Sequence, residues 1–172
     1  MPESLRKAIR DVPDFPKEGI VFKDISPLLS DPALLKHSIT LLAEIVQGQR
    51  IDKVVGIDAR GFIFAAPLAI QLDAGFIPIR KKGKLPWKTN AASYQLEYGE
   101  DTVEIHQDAI KPGENILLVD DLLATGGTAA AALDLLQKSG ANIIGYLFLI
   151  ELTFLNGREK LNSSPIHSIL DY

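Results

Sequence analysis

Apolar residues fall along this chain in two alternating patterns. Unbroken runs such as Val54 to Ile57, Phe76 to Ile79 and Ile116 to Val119 suit strands buried on both faces of a parallel sheet. Asn142 to Leu152 reads as a further apolar strand, and Ile166 to Leu170 as a last one. Between the runs the spacing becomes helical. Asp31 and Pro32 make an N-cap and first-turn pair. The helix they open sets Leu34, Leu35, Ile39, Leu41, Leu42, Ile45 and Val46 roughly on one face and ends near Gly48. Gly61 to Leu72 and Ala129 to Lys138 read as helices, with Gly140 where a C-terminal cap belongs. Alternating strands and helices predict an α/β fold: a Rossmann-like, mostly parallel twisted sheet with helices on both faces.

The remaining stretches fill in around this frame. Ser4 to Val12 predicts a short helix, stopped by the Pro13-Asp14-Phe15-Pro16 turn. Ile20-Val21-Phe22 is strand-like. Lys84 to Ser93 shows no period and reads as a mobile loop. Ser93 to Tyr98 and Thr102 to His106 alternate as a hairpin turned at Gly99-Glu100-Asp101, and Asn156 to Leu161 reads as a short polar helix.

The chemistry gathers where the buried runs end. After Ile116 to Val119 come Asp120 and Asp121, at the expected strand end, and then Ala124, Thr125, Gly126, Gly127 and Thr128. Strand, small-residue loop and helix start form a geometry that binds phosphate: backbone N–H groups converge, glycines let the backbone close in, and the helix dipole favours an anion. An ATP-type loop would need a Lys after Gly127, which is absent. Two carboxylates beside a phosphate seat need other work, such as accepting hydrogen bonds from a ribose diol, directly or through Mg2+. The run Val54 to Ile57 likewise ends in Asp58-Ala59-Arg60-Gly61, and Phe76 to Ile79 delivers Arg80, Lys81, Lys82 and Lys84, with Lys88 close behind. Strand carboxyl ends are where open α/β sheets bind ligands. Cations there suit a second, strongly negative group such as pyrophosphate, with Arg60 adding a two-pronged contact. Glu97, beside the expected loop, is placed for proton transfer.

Composition narrows the field. The 172 residues allow one domain with a real core. A 47% apolar and 23% charged composition with net charge -4 argues against wrapping nucleic acid. There is no Cys, so no thiolate nucleophile and no Cys-based metal site, and His37, His106 and His167 lack metal-ligand spacing. The start of the chain carries no apolar leader, and its longest apolar run, Phe62 to Ile70, is broken by Pro67 and too short to span a bilayer. No membrane role and a cytoplasmic location are expected.

The string V-D-D-L-L-A-T-G-G-T resembles the phosphoribosyl-pyrophosphate (PRPP) signature of the type I phosphoribosyltransferases. Five further blocks, in order, resemble the adenine phosphoribosyltransferase family: G-I-V-F-K-D-I-S-P-L-L from Gly19, G-I-D-A-R-G-F from Gly56, R-K-K-G-K-L-P from Arg80, S-Y-Q-L-E-Y-G from Ser93 and I-E-L-T-F-L-N-G-R-E-K-L from Ile150. The resemblance implies one phosphoribosyltransferase domain over residues 1–172, with residues 1–30 as a hood over the purine site. It implies Mg2+-dependent transfer from PRPP to adenine, giving AMP and pyrophosphate, by a homodimer whose basic residues partly reach across the interface. By position, residues 124–128 hold the 5′-phosphate and Asp120 and Asp121 the ribose. Arg60, Arg80, Lys81 and Lys84 serve the pyrophosphate. Val21, Phe22, Lys23 and Leu152 surround adenine, which is read mainly by backbone groups. Glu97 and Arg60 stand at the chemistry. The competing readings are transfer to another purine base and a PRPP-sensing regulator without catalysis. The regulator would need an added DNA-binding module, and no helix-turn-helix pattern precedes Pro13.

Overall fold

The computed structural model describes residues 3–96, 99–161 and 164–172. Its main sheet has seven strands in the order β5-β6-β4-β3-β7-β8-β9. The parallel part comprises β3 (Lys53–Ile57), β4 (Gly75–Lys81), β7 (Asn115–Leu123), β8 (Asn142–Glu151) and β9 (Ile166–Asp171). The hairpin of β5 (Thr89–Leu96) and β6 (Gly99–His106) adds antiparallel strands beyond β4. From β3 the chain crosses to β4 on one side, and β7 then pairs on the other. The carboxyl ends of β3 and β7 therefore flank the point where strand order reverses, which opens a crevice between diverging connections.

The unbroken apolar runs are explained by burial on both faces. Along β7, Leu117 and Val119 join one core while Ile116 and Leu118 join the other; Leu147 and Leu149 alternate with Tyr146 and Phe148 along β8 in the same way. The first core is covered by α3 (Pro32–Ile45) and α4 (Gly61–Gln71), through Ile39, Leu42, Phe64 and Leu68. The second is covered by α5 (Gly127–Lys138), through Ala129, Ala132 and Leu136. Each fully buried Leu or Phe side chain contributes about 1.5–3 kcal/mol, so these two layers hold the parallel strands between the helices. Among the described residues no helix is long and apolar enough to cross a membrane.

Several expected boundaries move. The N-terminal helix covers only Glu3–Lys7 (α1), and β1 (Arg10–Pro13) pairs antiparallel with β2 (Val21–Asp24), bringing Val12 opposite Phe22. Pro13 disfavours helix at Val12, and the hairpin partner supplies the hydrogen bonds that a helix would have made. A short α2 (Ser26–Ser30), not expected, follows. The loop expected from Lys84 to Ser93 shortens because β5 already starts at Thr89, and Gly99 to Asp101 belong to β6 rather than to the turn. The short polar helix expected over Asn156 to Leu161 is a 3-10 turn, Gly157–Lys160, and a second 3-10 turn, Thr153–Leu155, precedes it. Asp120 and Asp121 lie inside β7 rather than at its end, since Leu122 and Leu123 still pair with Ile150 and Glu151.

Asp31 caps α3 as expected: its Oδ1 accepts from the N–H groups of Ala33 (2.8 Å) and Leu34 (3.1 Å). Replacing Asp31 by Ala should cost about 1 kcal/mol of stability, within the usual 0.5–2 for a lost cap. Chemical denaturation monitored by circular dichroism would read this as a lower midpoint with an unchanged slope.

Candidate active site

The crevice between β3 and β7 is an open cleft of about 270 Å³. One wall follows β3 and carries Asp58, Ala59 and Arg60; the other is the end of β7 with the loop into α5, from Asp120 to Ala129. Lys81 and Tyr94 close the third side. The helix that follows β3 starts hard against β7, because a Cβ on Gly61 would come 2.7 Å from Asp120 Oδ1 and 3.1 Å from Val119 O.

Two neighbouring carboxylates sit in this wall. Asp121 is buried, and Asp120 keeps part of its surface open to the cleft. Asp120 Oδ1 accepts the Asp121 N–H at 2.9 Å. Burial, reinforced by the charge of Asp121, pushes the Asp120 carboxyl well above the ordinary carboxylate range. Burial also raises Asp121, opposed by Arg60, whose Nε lies 2.9 Å from Asp121 Oδ2. The same guanidinium lies 5.3 Å from the Phe22 ring, so it joins the acid pair to the N-terminal hairpin.

The loop between β7 and α5 has the form of an anion seat. Gly126 takes φ +77° as the N-cap of α5, and no side chain caps that helix. The first-turn N–H groups have no partner within the helix, and the residues that carry them line the cleft, where the helix dipole adds positive potential. The loop is backed by the 3-10 turn at Gly157: a Cβ on Gly126 would run into Gly157 O, and one on Gly157 into Ala124 O. Glycine is required on both sides of this backbone-to-backbone contact.

Arg80 and Lys81, like Arg60, are already paired with acids. Arg80 Nε lies 3.2 Å from Asp58 Oδ2, and its NH1 donates to Lys84 O. Lys81 Nζ lies 2.5 Å from Asp101 Oδ2, which also accepts from the Tyr94 hydroxyl at 3.2 Å. That pairing holds Asp101 below the ordinary carboxylate range and raises Lys81. A Cβ on Gly127 would come 3.4 Å from Tyr94 Cδ2, so β5 lies directly against the start of α5. Among the described residues no group of three or more His, Cys, Asp or Glu side chains is arranged to hold a metal ion. A divalent cation at Asp120 and Asp121 would thus complete its shell with ligand and water oxygens, as Mg2+ commonly does. The two raised carboxylates, countered by one arginine, fit such a cation.

The phosphoribosyl transferase domain family matches residues 24–163. The adenine phosphoribosyltransferase of Anaeromyxobacter dehalogenans (strain 2CP-1) is 56% identical over 172 residues, covering 100% of both chains. The chain belongs to the adenine phosphoribosyltransferase family. Among solved structures, the Rhodothermus marinus member superposes with a TM-score of 0.93 at 56% identity, over 99% of this chain and 97% of that one. The Saccharomyces cerevisiae member, complexed with adenine and an imino-altritol bisphosphate, gives 0.91 at 44%, over 96% of each.

In this adenine phosphoribosyltransferase-family chain, the cleft wall brings together Arg60, Lys81, Asp120, Asp121 and residues 124–128. Arg80 and Lys84 stand beside it rather than in its lining. Phe22 reaches Arg60, whereas the Lys23 side chain turns to Asp11 (2.7 Å) and to the Tyr172 ring (4.0 Å). Val21 is about half exposed. Leu152 is partly buried against the first core, and its N–H bonds Leu123 O at 2.9 Å. Glu97 lies outside the described residues. Sequence reasoning did not single out Tyr94, Asp101 or Gly157. Tyr94 and Gly157 stand inside blocks quoted above, but their roles depend on partners from other strands.

The acid pair should show in stability. A carboxyl whose pKa is raised by folding binds its proton more tightly in the native state, so its contribution is kept at low pH and lost as pH rises through the raised value. Asp120→Asn removes that charge and keeps the acceptor for the Asp121 N–H. Ligand-free Asp120→Asn protein should melt a few degrees above wild type at pH 7–8, with the gap closing towards pH 4–5. Scanning fluorimetry across that range is the check; a lower melting temperature at neutral pH would contradict the electrostatic account.

Proposed function

We propose that the chain transfers the 5-phosphoribosyl group from PRPP to adenine, releasing AMP and pyrophosphate with Mg2+, a purine-salvage reaction. The observation that carries this reading is the cleft at the strand-order reversal, where an uncapped glycine-threonine helix start meets a buried acid pair. The yeast relative solved with adenine adds to it. On this reading Ala124, Thr125, Gly126, Gly127 and Thr128 take the 5′-phosphate, and Asp120 and Asp121 accept from the ribose hydroxyls. Asp120 and Asp121 would be within reach of a Mg2+ ion held mainly through PRPP, which when bound would supply positive charge to the diphosphate.

Arg60, Arg80, Lys81 and Lys84 take the pyrophosphate. Magnitudes support an exchange of partners: the Arg80–Asp58 and Lys81–Asp101 pairs are partly exposed, a class worth roughly 0–1 kcal/mol. A charge-assisted hydrogen bond to an anion contributes about 1.5–3 kcal/mol, enough to draw these side chains over. In the reaction a purine ring nitrogen bonds to C1′ while the bond from C1′ to the pyrophosphate oxygen breaks. Positive charge grows on the ribose and negative charge on the leaving group, where the cations act most strongly. Glu97 takes the proton from the purine imidazole ring. Val21, Phe22 and Lys23, in a hood formed by residues 1–30, frame the base together with Leu152, all within a single catalytic domain.

The working form is a homodimer in the cytoplasm. Support for the dimer comes from α4, which exposes Ile63 and Ile70 seven residues apart on one stripe, with Phe76 also exposed nearby.

Purified protein with PRPP, Mg2+ and labelled adenine should form AMP and release one pyrophosphate per AMP. Adenine should outcompete hypoxanthine and guanine; a preference for either 6-oxopurine would overturn the base assignment, and PRPP binding without turnover of any base would overturn the enzyme. In the same assay Glu97→Gln should lower kcat about a hundred- to ten-thousandfold, the range for a positioned proton-transfer group, while PRPP affinity stays near wild type.

A further inference from the structure

The 153–160 segment backs the phosphate loop, yet it has almost no apolar anchor. Of its residues only Gly157 is buried, and Phe154 and Leu155 face outward. What fixes it is polar. At one end, Thr153 bonds Tyr172 O through its N–H (2.9 Å) and its hydroxyl (2.8 Å). At the other, next to Gly157, Arg158 donates to Glu151 through two prongs, Nε to Oε1 at 2.6 Å and NH2 to Oε2 at 2.5 Å. A third donor, NH1, bonds Ile166 O at 2.9 Å. Glu151 is the last residue of β8; its side chain is 4% exposed and takes a further contact from Ser168 Oγ at 2.9 Å. Arg158 holds its carboxyl below the ordinary range, so the pair is ionised. A two-pronged guanidinium–carboxylate contact fixes orientation as well as distance, which a single point charge does not.

Neither Glu151 nor Arg158 lines the cleft. Their reach into it runs through the backbone: Arg158 sets the position of Gly157, and Gly157 abuts Ala124 O and Gly126 with no room for a Cβ on either side. We propose that the Glu151–Arg158 ion pair is a positioning device that holds the Gly157 turn against the 124–126 loop and thereby sets the affinity for the sugar phosphate. This rests on the reading of residues 124–128 as the phosphate seat. The N–H groups of that loop converge only in one loop shape, and losing one charge-assisted hydrogen bond to the phosphate costs roughly ten- to a hundredfold in affinity.

Arg158→Lys keeps the charge and loses the two-pronged contact; Gly157→Ala leaves the ion pair intact and pushes directly on Ala124. Either should raise KM for PRPP and Kd for ribose 5-phosphate roughly ten- to a hundredfold, the loss of about one charge-assisted hydrogen bond, with kcat and the adenine KM at saturating PRPP near wild type. Thr128→Ala is the control for the phosphate seat itself. If Thr128→Ala weakens ribose 5-phosphate binding while Arg158→Lys and Gly157→Ala lower only the melting temperature, the ion pair is a plain structural brace and the proposal fails alone. If Thr128→Ala also leaves ribose 5-phosphate binding unchanged, the phosphate seat fails and this proposal with it. Should Gly157→Ala not fold, Arg158→Lys decides the matter.

Discussion

Two carboxylates side by side in a buried strand repel each other, and the cleft is arranged around that repulsion. A well-packed apolar pair at positions 120 and 121 would serve the sheet better, since within β7 itself the desolvation of two like charges is offset only by backbone hydrogen bonds such as that of the Asp121 N–H to Asp120 Oδ1. One charge is met by Arg60, reaching from the first turn after β3 to Asp121 at 2.9 Å. Among the described residues no cation meets the other, Asp120, so directly, and burial beside the Asp121 charge displaces its carboxyl upwards. The close start of α4 deepens the effect, because Gly61 lets backbone press against Asp120 where water would otherwise stand. A site that carries strain of this kind gives up stability for ligand binding, the usual direction of that trade.

The parts of the fold that could be read from the sequence are those in which local pattern and tertiary environment agree. β3, β7 and β8 are apolar because both faces are buried, so an unbroken run is itself the signal. Asp31 was readable because a cap acts over three residues. The misread parts depend on distant partners. Arg10 to Pro13 has helical spacing with Leu5 and Ile9, but it pairs with Val21–Asp24 across an intervening turn. Thr89 to Ala92 shows little alternation because β5 is an edge strand bonded only to β6. Asp120 and Asp121 read as a strand end because they are charged. The strand continues because β8 extends alongside it as far as Glu151.

The same division holds in the cleft. A sequence shows a cation but not the acid it faces, so the run from Arg80 to Lys88 looked like free positive charge. In the fold Arg80 meets Asp58 and Lys81 meets Asp101, acids from β3's following turn and from β6. Glycines carry a comparable hidden partner. Gly126 was expected as part of a phosphate loop, whereas the need for glycine at 157 appears only once that turn is seen against Ala124.

Arg60 is the side chain in which these threads meet. It lies 2.9 Å from Asp121 in the central strand and 5.3 Å from the Phe22 ring in the N-terminal hairpin, so one guanidinium answers a buried charge and faces an aromatic surface. Charge added at the acid pair and packing changed at Phe22 therefore act on the same group. A lysine could not do both, since a compact ammonium has no flat face to set against the ring while it bonds the carboxylate. The hairpin is joined to β7 through this contact, and the segments on either side of it enter the same core as Leu117 and Val119 of β7 through Leu5, Ile25 and Leu28. The two halves of the cleft are coupled because the acid pair needs a counter-charge, and the residue that supplies it also has a face to offer the hairpin.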